Sequence, residues 1–307
     1  MPTSRVIICA ISSLRSRQSW NARRQISTRS STDVGAPTVD TWDGKGFLAW
    51  DPTAQQVPPG EANIDNLIAN TALMVSGTGE IGCGYEAPLE AWYRFLVDPN
   101  PHETVAFEGN NAVLNGTDGV VLDQRANFLR PDSLLAVIML ADENDCSIRD
   151  GGQFYFAAQT YQPGGGNQQY HLPKPRAACA TDPNGASLKA DDGSPCCRSC
   201  GQGAGPGCST SADDCAGSLP AIDDDINLRC WDQKRRFGID FLYPIQRYVD
   251  GVSRQDIADR NGVVTQNPLF MDLNPNDDIS AVRDASLVFV AGIVGVPWQD
   301  IARKDAN

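Results

Sequence analysis

Residues 134–147 read LLAVIMLADENDCS. Eight consecutive apolar residues, Leu134 to Ala141, run directly into Asp142, Glu143, Asn144 and Asp145, and then into Cys146. A strand covered by helices on both faces of a parallel sheet reads as a continuous apolar run of this length. Polar groups then gather at its exit. In open α/β sheets, ligands bind at the carboxyl ends of the strands, so acids at this exit are candidates for holding a hard cation or a polar ligand. The alternative is a solvated turn that opens the next loop.

Working outward, the flanking segments alternate in type. IDNLIANTALMV (64–75) carries Ile64, Leu67, Ile68 and Leu73 at helical spacing and runs into the glycine-rich turn SGTGEIGCG. EAPLEAWYRFLV (86–97) places Leu89, Trp92, Tyr93 and Leu96 on one face, with Pro88 in the first turn where a missing N–H costs little. QKRRFGIDFLYPIQRYV (233–249) has helical spacing through Phe237, Phe241, Ile245 and Tyr248, and Pro244 kinks or splits it. SLVFVAGIVGVPW (286–298) reads as a second buried strand, and WQDIARK starts a terminal helix. Near the start, RVIICAISSL (5–14) reads as a short strand. The polar stretch that follows is loop, pinned to the core by Trp42, Phe47 and Trp50 of TWDGKGFLAWDP unless those rings stack on carbohydrate. This order predicts an α/β fold, doubly wound around a mostly parallel sheet.

Three regions result: an irregular stretch 1–60, an α/β core formed by 61–160 and 230–307, and a cysteine-rich insertion over 161–229. The insertion is rich in Pro, Gly and Asp, and its composition cannot offset ordering entropy without cross-links. It is expected to be an exposed excursion with few core contacts. Seven of the ten cysteines lie between Cys179 and Cys230: Cys179, Cys196, Cys197, Cys200, Cys208, Cys215 and Cys230. Such density fits disulfides in an oxidising compartment. Zinc held by Cys197 and Cys200, completed by Cys208, Cys215 or Cys230, is the less favoured alternative. Cys83 and Cys146 are expected at the same edge of the sheet and are predicted to pair.

The formal charge of −13 argues against a nucleic-acid partner. No apolar run reaches the roughly 18 residues of a membrane span. Residues 1–32 hold six arginines and no acid, in an order unlike that of a secretory signal, although an Arg- and Ser-rich start is also compatible with a transit sequence. His102 and His171 sit in Pro-flanked polar loops with no nucleophile motif, so both read as surface histidines.

A buried strand ending in LADENDCS, preceded by GCGYEAPLEA and followed by VFVAGIVGVPW, resembles von Willebrand factor type A domains, in particular those of uncharacterised secreted proteins of myxobacterial type. The resemblance spans most of 60–160 and 230–300. It implies a doubly wound fold with a metal-ion-dependent adhesion site, in which Asp142 stands at the third metal loop. Thr78 is the nearest counterpart of the middle-loop threonine, with Glu86 a competing oxygen donor. The family opens with a strand ending in Asp-x-Ser-x-Ser, and this sequence has no such motif. RVIICAISSL resembles the second strand of the fold, so the chain reads as starting inside the domain. The expectation is therefore a secreted, periplasmic or surface protein-binding module that holds Mg²⁺ or Ca²⁺ weakly or not at all. The competing class is a metal-dependent hydrolase using Asp142, Glu143 and Asp145.

Overall fold

The computed structural model describes residues 7–8, 39–76, 85–108, 111–142, 144–150, 170–274 and 281–295. In chain order the elements are β1 (Ile7–Ile8), β2 (Leu48–Ala49), α1 (Ile64–Ser76), α2 (Pro88–Leu96), β3 (Thr104–Glu108), β4 (Asn111–Asn115), α3 (Gly119–Phe128), β5 (Leu135–Ala141), α4 (Ala178–Thr181), α5 (Gln233–Phe237), α6 (Ile245–Ser253), β6 (Asp256–Ala258), β7 (Val264–Gln266) and β8 (Val288–Val294). Two compact units result. The first comprises Met1–Ala106, Leu114–Glu143 and Pro244–Asn307; the second comprises Phe107–Val113 and Asn144–Tyr243. The second unit thus contains the stretch 161–229 together with residues on either side of it.

The first unit is α/β and is organised around β5 and β8. These two strands pair in parallel, in register from Leu135 opposite Val288 to Ala141 opposite Val294. Helix α2 packs against β5, α3 and α6. Its amphipathic spacing explains why: Trp92, Tyr93 and Leu96 are buried, and the rings of Trp92 and Tyr93 meet Tyr248 of α6. Pro88 occupies the first turn of α2, as its fixed φ favours. Asp118 caps α3 by accepting from the Val120 and Val121 amides, and it also pairs with Arg94 at 3.0 Å.

Two buried arginines hold this unit in place, and neither carried a sequence signal. Arg125 donates to the carbonyls of Arg94, Phe95 and Asp98, so a cation closes the C-terminal end of α2, where carbonyls lack helical partners. Burial pushes its guanidinium down to about 10. Arg283 donates to the carbonyls of Arg130, Ser133 and Leu269, which ties the turn before β5 to the chain leading into β8. That tie sets the start of the parallel pair.

The long apolar strands are not buried on both faces as expected. Leu135 and Val137 are buried on the face toward α2, but Ile138 and Leu140 are exposed, as are Phe289, Val290, Ile293 and Val294 of β8. An apolar run signals what a strand needs covered; it does not supply the cover. The first helix also differs from its reading. Leu67 and Met74 are buried in a cluster with Val39 and Leu48, whereas Ile64 and Ile68 face solvent. The predicted helix across 233–249 is two helices, α5 and α6, separated by Gly238 at φ 72° and entered at Pro244. A Cβ at Gly238 would come within 2.2 Å of the Arg198 backbone, so the close approach of chain to chain requires glycine there.

The expected strand at 5–14 is described only as Ile7–Ile8, which pairs antiparallel with Leu48–Ala49. Phe47, Leu48 and Ala49 are buried, and Phe47 stacks on Trp42 and meets Phe128 edge-on. The aromatic patch does pin its loop.

The second unit builds its interior from sulfur and ion pairs rather than from a large apolar core. Cys146 pairs with Cys230, Cys179 with Cys197, Cys196 with Cys208 and Cys200 with Cys215, at Cα separations of 5.3, 4.4, 5.7 and 5.3 Å, all in the range a cystine spans. The predicted Cys83–Cys146 pair is therefore corrected: the partner of Cys146 is Cys230. Cys83 itself lies outside the described residues. The stretch 161–229 lies in the second unit and has an interior of its own, in which Leu172, Cys179, Cys197, Ser199 and Arg229 are buried. Asp182 organises one turn by accepting from the Ala186, Ser187 and Leu188 amides. Those amides, Leu188 first, hold its carboxyl below the usual Asp range. A depressed carboxyl contributes stability above its unfolded pKa and loses it as pH falls through the folded value, so this turn loosens only in acid.

Candidate functional site

The carboxyl end of β5 is where the fold puts a candidate site. The parallel ladder continues one residue beyond the strands, because the Gly295 amide donates to the Ala141 carbonyl at 3.2 Å. Asp142 follows immediately and is exposed. Glu143 lies outside the described residues, and the chain passes into the second unit at Asn144. Asp145 accepts from the Ser147 amide at 3.0 Å and from the Ser147 hydroxyl at 2.9 Å. Its oxygens serve a local turn, the role a short polar side chain takes readily.

Of the other residues read as oxygen donors, Thr78 lies outside the described residues. Glu86 stands two residues before α2, and its Oε2 is buried with no hydrogen-bond partner among the described residues. A buried carboxylate oxygen in that state costs free energy, so Glu86 stands out as a polar group whose environment is incomplete. No group of three or more His, Cys, Asp or Glu among the described residues is arranged to hold a metal ion.

The cysteines read as zinc ligands are otherwise engaged. Cys197 and Cys200 pair with Cys179 and Cys215, and Cys208 and Cys230 pair with Cys196 and Cys146. A sulfur in a cystine offers no thiolate to a metal. The adjacent Cys196 and Cys197 diverge to different partners, which cross-links two turns from one point of the chain.

The centre of the second unit is a buried ion pair that sequence reading missed. Arg229 meets Asp224 through two bonds, Nε to Oδ1 at 2.9 Å and Nη2 to Oδ2 at 2.8 Å. Asp224 also accepts from the Leu172 amide at 2.9 Å, and His171 Nδ1 lies 3.3 Å from its Oδ2. The only available signal was the acidic run Asp223–Asp225 close before Arg229, which resembles any solvated acidic turn. His102 likewise lies in a network, with its ring nitrogen 3.0 Å from Arg94.

On the surface of the same unit, Trp231, Ile222, Leu228 and Leu219 line an open groove of about 370 Å³ with Arg235 and Arg236 at its side. Arg236 stacks over Trp231 and Phe237 and spends its donors on backbone carbonyls, including that of Asp223. The groove is therefore mainly apolar.

No described helix is long and apolar enough to cross a membrane. No family model, curated protein or solved structure matches this chain. The four cystines fit an oxidising compartment.

Proposed function

We propose that this chain is an extracellular or envelope protein-binding module of the von Willebrand factor type A kind, doubly wound, with a degenerate metal-ion-dependent adhesion site at Asp142. The observation that carries this reading is the position of Asp142, exposed at the carboxyl end of a parallel strand pair, where α/β folds place their ligands. The cystine-framed second unit supports an extracellular setting. Divalent cations keep useful affinity only where several oxygens replace their waters in fixed geometry. Asp142, with Thr78 or Glu86 as the alternative second donor, leaves such a cation largely hydrated, because the sequence has no Asp-x-Ser-x-Ser segment to add an aspartate and two hydroxyls.

Calorimetric titration of the purified chain with Mg²⁺, Mn²⁺ and Ca²⁺ tests the metal reading. The expected result is weak heat without fixed stoichiometry that diminishes with added salt, as screened diffuse attraction does. A one-to-one site of micromolar affinity that vanishes in Asp142→Ala contradicts a degenerate site. Screening against ester, phosphate and glycoside substrates tests the class of activity. Metal-dependent turnover lost in Asp142→Ala contradicts a binding module.

A further inference from the structure

Among the described residues one face of the β5–β8 pair is apolar and exposed along its length, and on the other face β8 is exposed as well, at Val290 and Val294. The parallel register sets Ala136 beside Phe289, Ile138 beside Ala291 and Leu140 beside Ile293, all projecting to the side opposite the buried Leu135 and Val137. Ile138 is 66% exposed, Leu140 64%, Phe289 52% and Ile293 65%. Neither strand contains a polar or charged side chain in a chain of net charge −13.

We propose that this face is a self-association surface, on which a second copy of the chain stacks its own β5–β8 face. Area is the first argument. At those exposures the four large side chains leave on the order of 500 Å² of contiguous apolar surface in water, at the upper end of what monomers carry. Two such faces together approach the roughly 1,000 Å² at which specific interfaces begin. The chemistry of the face is the second argument. A partner recognised by charge would find nothing to pair with here, whereas an identical face is complementary without any ion pair and keeps the like charges of the two chains off the contact. Sheets stack face to face at about 10 Å, a spacing at which isoleucine, leucine and phenylalanine side chains interdigitate. Pairing strand edge to strand edge would lengthen the bare face instead of covering it. Self-association here does not depend on whether Asp142 holds a cation.

Sedimentation equilibrium of the oxidised 307-residue chain, from about 1 to 300 µM, tests this over the affinity range of a small interface. The mass is expected to rise from 33.1 kDa toward twice that value, and to do so more readily at higher salt, which screens the repulsion between two acidic chains. Ile138→Thr combined with Ile293→Thr keeps β-branched residues in both strands and should weaken association at least about tenfold. Ile222→Thr, at an exposed isoleucine of the second unit, should leave it unchanged. A mass of 33.1 kDa throughout, open-ended growth, or association insensitive to the Ile138/Ile293 change overturns the proposal. Hydroxyl-radical footprinting of the unaltered chain decides the same question without a variant: labelling of Ile138, Leu140, Phe289 and Ile293 should fall as concentration rises. Constant labelling overturns it.

Discussion

Replacing Asp224 by alanine is expected to destabilise the second unit by about 3–5 kcal/mol, the cost of leaving a buried charge without its partner. Arg229 is 2% exposed and gives two charge-assisted bonds to this one carboxylate. The Leu172 amide loses its acceptor in the same stroke. Because most of the penalty comes from the stranded guanidinium, adding Arg229→Met to Asp224→Ala should recover a substantial part of it. Denaturant unfolding followed by hydrogen exchange in 170–243 measures both variants. A loss below about 1 kcal/mol for Asp224→Ala would mean that the pair is solvated in solution, as surface pairs are.

Removing the Cys146–Cys230 cystine with two serines should cost a similar amount. The bond joins residues 84 apart, and closing so long a loop removes on the order of 4–5 kcal/mol of unfolded-state entropy in the chain-entropy model. Both positions are buried, so the two serine hydroxyls are also desolvated there. Limited proteolysis of the whole oxidised variant should cut first within 144–243. First cleavage in α2 or β5 would show that this cystine does not secure the second unit.

These residues mark where sequence reading stops. Helices α1, α2 and α6 and strands β5 and β8 were legible because hydrophobic spacing and proline position act locally, within one or two turns of the chain. That β5 is covered on one face only was not, because an apolar run is the same whether or not its cover is present. Cys146 found Cys230 rather than Cys83 because pairing depends on which loops meet, and that is set by contacts far apart in sequence. Arg125, Arg229 and Arg283 were invisible for the same reason: each is one cation among 25 basic residues until its carbonyls or carboxylate are placed around it. At the candidate site, Asp142 was legible from the polar exit of an apolar strand, whereas the engagement of Asp145 with Ser147 was not.

The second unit is framed by four cystines, and peptide mapping under non-reducing conditions tests that most directly. Digestion of the thiol-blocked chain should yield linked peptides carrying Cys146 with Cys230, Cys179 with Cys197, Cys196 with Cys208 and Cys200 with Cys215. Recovery of Cys197 and Cys200 as free thiols that retain zinc, or of Cys146 linked to Cys83, would contradict it.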